Sequence, residues 1–366
     1  MWSNLPFDVL SNIFSFLPTD SLARAKLTCR NWRVCATSYS LNSGTVHRHQ
    51  PPWFLALPLR GRGLSCYVHN PHTDNWHSVS LDFLPEPVRP AASISGLLLL
   101  RPTSSMVFQL AICNPFTRQF RCLPMLNRIR TNPALGVVVP GSVWCNSTPR
   151  FCVYVAGGMS DGGASYEPTL EVYESFTNKW RILAPMPMEF AVRLTVWAPN
   201  ESVYVEGSLY WVTSARAYSV MGFEIEGGRW RELSAPFADR LEFAGLIQLN
   251  GKLALVGATC GEPACVWQLN EEGVWVLIVK VPVDLGVRLL GGKLSWASMK
   301  CVGIDGAVCL YRDIGSGMIV WRETEEKGRR EWNWVEGCCS IRGKQVHNFA
   351  ARGVLFHPNI SPSSFP

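Results

Sequence analysis

The sequence lacks several features that would place a protein in a common class. No apolar run approaches the roughly 18 residues of a membrane-spanning helix, and LLLL at 97–100 is better explained as a strand. The first residues contain no basic segment and include Asp8, so they do not resemble a secretory signal. Basic residues are scattered, with no run beyond KGRR, and the net charge is only +6 over 366 residues. We therefore expect neither a membrane nor a nucleic acid as partner.

The motifs of common catalytic and cofactor sites are also missing. No G-x-S-x-G nucleophile elbow, P-loop or Gly-rich dinucleotide fingerprint occurs. Five of the seven histidines lie between positions 47 and 77, but no carboxylate or cysteine completes a metal site at a recognisable spacing. The thirteen cysteines show no C-x-x-C spacing, which favours free thiols in the cytoplasm or nucleus. We expect a non-catalytic protein without metal or cofactor.

What the sequence does contain is a repeated strand pattern, clearest at residues 151–187. An apolar segment ends in Gly157 and Gly158, a Gly-rich loop follows, and two further segments carry Tyr173 and Trp180. β-Branched and aromatic residues between Gly, Asn and Pro are typical of short antiparallel strands. Glycine at a strand end permits a positive φ or a close backbone approach. A unit this small cannot bury both faces alone, so the pattern predicts an array.

The pair of positions seven residues apart recurs along the chain. Its copies are His69 and Trp76, Cys113 and Phe120, Tyr173 and Trp180, Phe223 and Trp230, and Gln268 and Trp275, with a sixth copy, Trp321 and Trp332, interrupted by TEEKGRRE. The closing aromatics repeat about every 51 residues, close to the kelch period of about 50. The array resembles kelch repeats in period and aromatic position, although the double glycine is intact only at 157–158.

This resemblance implies an all-β propeller, most simply of six kelch-type blades, while a seventh in the intervals 120–180 or 275–332 stays open. The predicted blades after the first are 88–124, 135–185, 191–236, 243–282 and 295–336. Residues 53–81 supply only three strands, and 345–358 form a strand pattern without a blade. We expect this C-terminal strand to complete the first blade as its innermost strand, closing the propeller of residues 53–358. Trp180, Trp230 and Trp275 should pack between blades.

Residues 1–40 do not fit the repeat and predict three short helices. Asn4 and Pro6 suit a helix start, Pro18 stops the first helix, and apolar residues recur at helical spacing. The pattern LP-x3-L-x2-I-x3-LP-x3-L-x6-C-x2-W is similar to the F-box. The residues that match it are Leu5, Pro6, Leu10, Ile13, Leu17, Pro18, Leu22, Cys29 and Trp32.

The F-box resemblance implies a function. The nine matching residues would bind a Skp-type adaptor, which connects an F-box protein to the cullin and RING subunits of a ubiquitin ligase. The propeller would then hold an unidentified protein to be ubiquitinated, and the combination implies a plant-type protein. Residues 41–52 are predicted as a linker and 359–366 as a flexible tail. The alternative is a propeller enzyme or small-ligand sensor whose N-terminal helices are incidental.

Strand order predicts which loops share a face of the propeller. Loops between the second and third strands of a blade emerge on the same side as the connections from one blade to the next, and we call this side the upper face. Its longest predicted loops are 126–134, 159–168 and 185–192. Since loops on a rigid scaffold concentrate recognition residues, the predicted substrate contacts are Arg128, Arg130, Tyr166 and Glu167.

Overall fold

The computed structural model describes residues 5–42, 51–59, 65–94, 96–103, 108–139, 150–195, 202–214, 217–304, 306–323, 329–341 and 343–360. Three helices come first: α1 (Phe7–Ser15), α2 (Thr19–Ala25) and α3 (Arg30–Asn42). Pro6 and Pro18 immediately precede α1 and α2, where proline is tolerated because the first helical N–H groups need no intrahelical partner. None of the helices in these ranges has the length and apolar character to cross a bilayer.

The strands after the helices form six four-stranded antiparallel sheets, so the predicted six-bladed propeller is confirmed. Blade 1 contains β1 (Trp53–Pro58), β2 (Ser65–Asn70), β3 (Asn75–Ser80) and the last strand, β28 (Ala351–Phe356). Blade 2 contains β4 (Val88–Ile94), β5 (Leu97–Pro102), β6 (Ala111–Asn114) and β7 (Gln119–Cys122). Blade 3 contains β9 (Ala134–Val138), β10 (Cys152–Ala156), β12 (Thr169–Glu174) and β13 (Lys179–Pro185).

The second half of the ring repeats this arrangement. Blade 4 contains β14 (Val203–Val205), β15 (Ser208–Ser214), β16 (Tyr218–Glu224) and β17 (Arg229–Ser234). Blade 5 contains β18 (Leu241–Leu249), β19 (Lys252–Thr259), β20 (Cys265–Leu269) and β21 (Trp275–Lys280). Blade 6 contains β22 (Lys300–Ile304), β23 (Ala307–Tyr311), β24 (Met318–Glu323) and β25 (Arg330–Val335).

Ring closure follows the prediction. β28 is the innermost strand of blade 1 and pairs with β1 from Trp53 opposite Phe356 to Pro58 opposite Ala351. The first blade therefore contains strands from both ends of the propeller region. Because this pairing joins the two ends of the propeller region, the ring leaves no unpaired inner edge on β1.

The seven-residue spacing has a simple cause. His69 and Trp76 lie directly opposite each other on adjacent strands, as do Tyr173 and Trp180, on either side of a four-residue turn. Trp275 is an exception and corrects the assigned pair, because it lies opposite Leu269 and not Gln268. The turn in blade 5 holds one more residue, and the register is shifted further along these two strands.

The connections between blades contain structure that the repeat pattern did not predict. α4 (Met188–Arg193) and α5 (Val283–Leu290) each follow a proline, and both lie on the upper face. Blade 4 therefore begins at Val203 and blade 6 at Lys300, later than the predicted 191 and 295. Two short ribbons complete the upper face: β8 (Arg130–Thr131) pairs with β11 (Met159–Ser160), and β26 (Ser340–Ile341) pairs with β27 (Lys344–Gln345).

The hydrophobic core lies between neighbouring blades. Trp180 packs in a cluster that combines residues of blades 2 and 3, and Trp230 in one that combines blades 3 and 4. The indole N–H of Trp180 also donates to the carbonyl of Pro124 at 2.8 Å, just beyond the outer strand of the preceding blade. Trp76 and Trp275 make the equivalent bond, to the carbonyls of Glu336 and Ser234, both at 2.8 Å. These tryptophans join blades through both apolar area and a directed hydrogen bond.

Candidate functional site

The three helices build a small core of their own. Leu10 and Phe14 on α1 are fully buried, and Leu22 on α2 is buried beside them. Leu10 and Leu22 had been predicted to contact an adaptor, and the structure corrects this. Their side chains fill the space between the helices, so they hold the helical unit together and are not accessible to a partner.

A second row of apolar side chains on α1 faces solvent. Val9 and Ile13 are each 41% exposed and Phe16, at the end of the helix, is 79% exposed. Their spacing of four and three residues places them on one face of a helix, next to the buried row that contains Leu10. We call Val9, Ile13 and Phe16 the α1 stripe. Leu27 after α2 and Val34 on α3 are also exposed, at 87% and 52%.

The other predicted adaptor contacts lie at the border of the helical core. Leu5, Leu17 and Trp32 are partly buried against it, and the Trp32 ring meets Phe14 edge-on at 5.4 Å. Pro6 is exposed, while Pro18 and Cys29 are half-buried. The structure therefore divides the predicted contacts into residues buried in the helical core and residues whose side chains are accessible.

The helical unit borders the face of the ring opposite the upper face. β28 runs from the upper to the lower face and ends at Phe356, so residues 357–360 leave on the lower side. Ile360 packs against the helical core, and its carbonyl accepts a hydrogen bond from Lys26 Nζ at 3.1 Å. Burial lowers the pKa of Lys26.

Arg130, one of the predicted substrate contacts on the upper face, is fully buried, which corrects that prediction. Its guanidinium forms an ion pair with the equally buried Glu171 and donates to the carbonyls of Gly157 at 3.2 Å and Thr169 at 2.8 Å. Burial lowers the pKa of Arg130, and the Glu171 carboxylate opposes this shift.

Glu171 also organises the loop that carries Arg130. Its two carboxylate oxygens accept the backbone N–H groups of Asn127 at 2.8 Å and Arg128 at 3.0 Å. The pair therefore anchors the blade 2–3 connection to the middle of blade 3. This leaves Arg128 and Tyr166 exposed and Glu167 half-buried, so three of the four predicted contacts remain accessible.

The diglycine lies beneath these loops. Gly157 and Gly158 have φ values of 64° and 100°, which L side chains rarely adopt. A Cβ on Gly158 would lie 2.7 Å from the Thr131 carbonyl oxygen, and one on Gly157 would lie 2.9 Å from the carbonyl oxygen of Ala191. The pair thus lets two inter-blade connections approach blade 3 closely.

The upper face carries many exposed apolar side chains besides Tyr166. They lie on four inter-blade connections: Met125, Ile129, Met188, Val192, Phe237, Val283, Val287 and Leu294. The sequence patterns did not predict these side chains. The four-residue spacing of one helix face was nevertheless present in Met188 and Val192, and again in Val283 and Val287. Apolar side chains grouped on one face are typical of a protein-binding surface.

In the described part of the chain, the thiols and acidic groups show no arrangement that suits a metal ion. Over the part of the chain that the structure describes, no three His, Cys, Asp or Glu side chains are placed to hold a metal ion, and no cysteine there forms a disulfide. Burial raises the pKa of Cys66 to about 12, and burial, assisted by Cys339, raises that of Cys338 to about 11. Neither thiol is activated as a nucleophile.

Comparison with known families assigns the two parts of the chain. Residues 2–41 match the F-box-like family, and residues 89–258 match the F-box associated beta propeller domain. The chain is an F-box protein with an associated β-propeller. F-box only protein 6 of Arabidopsis thaliana is 25% identical to this F-box protein, over 98% of the chain and 74% of the relative.

Two further relatives from Arabidopsis thaliana match this F-box protein. F-box/kelch-repeat protein At5g43190 is 25% identical over 99% of the chain and 88% of the relative, so the likeness extends to proteins named for kelch repeats. SKP1-interacting partner 15 is 33% identical, over 33% of the chain and 38% of the relative. The relatives support the plant-type F-box/kelch assignment.

Proposed function

We propose that this F-box protein is the substrate-recognition subunit of a Skp–cullin–F-box ubiquitin ligase. Its helices bind a Skp-type adaptor, and its upper face binds the protein to be ubiquitinated. The observation that carries the proposal is the α1 stripe, in which Val9, Ile13 and Phe16 stay exposed although the helical core is complete without them. The name of the relative SKP1-interacting partner 15 supports the choice of adaptor.

The α1 stripe is large enough to sustain a specific complex. Burying one large aliphatic or aromatic side chain contributes about 1.5–3 kcal/mol, and a few such anchors dominate most interfaces. Leu27 and Val34 provide further exposed apolar area on the same small unit. A free monomer gains nothing from this exposure, so a partner is the physical reason for it.

The two binding surfaces have separate positions on the molecule. The helices border the lower face through Ile360, whereas the exposed apolar side chains of the inter-blade connections lie on the upper face. The protein carries out no bond chemistry in this proposal. Its contribution is proximity, because a substrate held on the upper face meets the ubiquitin carrier at a raised local concentration. A ligase subunit with free thiols belongs in the cytoplasm or nucleus.

The test is adaptor binding by a variant that alters only the α1 stripe. Changing Ile13→Asp and Phe16→Asp together should weaken binding of a purified Skp-type adaptor by about 100-fold or more, since two anchors are lost. Isothermal titration calorimetry measures the dissociation constant. The matched control is Phe176→Asp, which changes an equally exposed Phe (77%) on a turn of blade 3.

The control variant should bind the adaptor like the unaltered protein. Leu10 is unsuitable for this test because an Asp at its fully buried position would unfold the helical unit. Undiminished adaptor binding by the double variant, with the helices still folded by circular dichroism, would remove the basis of the proposal.

A further inference from the structure

Two arginines lie directly opposite each other near the centre of the upper face. Arg89 on β4 and Arg101 on β5 are partners in the antiparallel register of blade 2. Directly opposed residues have Cβ atoms about 4.5–5.5 Å apart, and like charges there are destabilising. The two strands could carry any polar residue at these positions, so the repulsion calls for a functional reason.

Two further cations lie at the upper ends of the neighbouring innermost strands. Lys300 is the first residue of β22 in blade 6, and Arg352 is the second residue of β28 in blade 1. Arg352 donates to the carbonyl of Ala91 at 3.2 Å, and Ala91 is the bulged residue of β4. Lys300 Nζ donates to the carbonyl of Ala351 at 2.7 Å. These bonds hold side chains of three adjacent blades beside the ring axis.

We call Arg89, Arg101, Lys300 and Arg352 the basic mouth. Within the described ranges, no carboxylate forms an ion pair with Arg89, Arg101 or Lys300. The side chains of Arg101 and Lys300 donate to neutral acceptors and lie over aromatic rings. Burial, with the neighbouring Arg89, lowers the pKa of Arg101.

Burial and Arg352 likewise lower the pKa of Lys300, opposed by Asp313. Asp313 is itself paired with Arg312 at 2.9 Å.

We propose that the basic mouth binds an acidic segment of a protein substrate, with carboxylate or phosphate groups at the ring axis and apolar residues on the surrounding connections. This rests on the proposed function and specifies its substrate class. Charge-assisted hydrogen bonds from arginine to carboxylate or phosphate are strong and directional. The ligand supplies the negative charge that the protein itself does not place between Arg89 and Arg101.

A peptide segment fits the upper face better than a nucleic acid does. Exposed carboxylates lie on other inter-blade connections and loops of the upper face: Asp161, Glu189, Asp239, Glu262 and Asp284. They would repel a long polyanion, whose binding requires an extended basic surface. Phe237 and Val287, both exposed on the same face, suit the apolar residues of a peptide.

The experiment uses fluorescein-labelled peptides of equal length with the full-length protein bound to its Skp-type adaptor. One peptide carries glutamates between leucines, one carries phosphoserines at the same positions, and one carries glutamines; a single-stranded RNA oligonucleotide is the fourth probe. Fluorescence anisotropy should show tighter binding of at least one acidic peptide than of the glutamine peptide, weakening as salt rises. Comparison of the glutamate and phosphoserine peptides distinguishes the two sources of charge.

The double variant Arg89→Gln and Arg101→Gln should weaken acidic-peptide binding by about tenfold or more. Arg118→Gln with Arg181→Gln removes the same charge from exposed ion pairs on other parts of the ring and should leave peptide binding unchanged. Arg89→Gln alone should leave the melting temperature unchanged or raise it, because the like-charge contact is relieved.

Three results would overturn the inference. They are equal binding of acidic and glutamine peptides, unchanged acidic-peptide binding by the Arg89/Arg101 variant, and preferential binding of the RNA. Adaptor binding is measured in the same preparations. If the adaptor binds but charge selectivity is absent, only this inference fails; if the adaptor does not bind, the ligase proposal itself fails.

Discussion

Arg130 shows how one carboxylate decides the role of a loop residue. An arginine in a polar sequence between two strands is expected at the surface, yet Arg130 is fully buried because Glu171 lies within reach on β12. The sequence places these residues 41 positions apart, so no local pattern could connect them. Burial of two charges is tolerable only when both are paired and hydrogen-bonded, as they are here.

The substitution Glu171→Gln should destabilise the protein strongly. It leaves the Arg130 guanidinium buried without its counter-charge, and breaking a buried pair in this way costs about 3–5 kcal/mol. Urea denaturation followed by tryptophan fluorescence measures the free energy of unfolding. Glu224→Gln, which breaks the exposed pair with Arg229, is the control and should produce no measurable change. Equal stability of the two variants would contradict this account of Arg130.

At the scale of elements, tryptophans on the outer strands of blades 1, 3 and 5 link each of these blades to the one before it. Trp180, Trp76 and Trp275 all donate their indole N–H to a carbonyl at or just beyond the end of the preceding outer strand. Phe120 holds the corresponding position in blade 2, opposite Cys113, and has no N–H to donate. Every blade therefore has an aromatic ring at this position, but only some blades have the indole N–H bond to the preceding blade.

Trp180→Phe keeps most of the ring area and removes the N–H donor to Pro124. We expect a loss of about 0.5–1.5 kcal/mol in the free energy of unfolding, the usual contribution of one hydrogen bond. Trp180→Ala removes the ring as well and should cost about 3–5 kcal/mol. Both losses are measured by chemical denaturation of each variant beside the unaltered protein. Indistinguishable losses for the Phe and Ala variants would mean that the ring contributes no packing energy between blades 2 and 3.

The inter-blade helices also illustrate what element-level prediction can miss. Residues 188–193 and 283–290 are short and follow a proline, and the repeat period placed them almost entirely in connections between blades. Each helix has only one pair of exposed apolar residues at helical spacing. This is weak evidence for a helix beside the strong period of the aromatic residues. Both helices contribute exposed side chains to the upper face.

For the whole molecule, ring closure depends on the last strand. β28 supplies Val354 and Phe356 to the core between blades 1 and 2, while Ala351 and Leu355 pack against blade 6. It therefore joins three elements at once: the first blade, the last blade and, through residues 357–360, the helical unit. The pairing of β28 with β1 spans almost the entire propeller sequence, which makes it the least local strand pairing in the ring.

A chain that ends at residue 346 should lose its cooperative fold. Without β28, the inner edge of β1 is unpaired and available for pairing with other chains. Size-exclusion chromatography should show aggregates, and a peptide of residues 347–360 added during refolding should restore the monomer. A chain that ends at residue 360 keeps β28 and serves as control. Cooperative unfolding of a monomeric 1–346 chain would show that closure is dispensable.

The sequence by itself determined the modules of this protein. Leucine, proline and tryptophan spacing identified the helical unit, and the aromatic period gave six blades, because helix caps, turns and strands are set by residues only a few positions apart. The sequence also predicted ring closure, because the first blade lacked one strand and one strand pattern remained after the last blade.

Only the tertiary structure decided which side chains are available to partners. Leu10 and Ile13 obey the same helical pattern, but packing of three helices buries the first and exposes the second. Arg89 and Lys300 are far apart in sequence and carry no motif, yet closure brings their strands to one mouth. The physical reason is the same in both cases: burial and charge proximity depend on contacts between distant segments, which local periodicity does not encode.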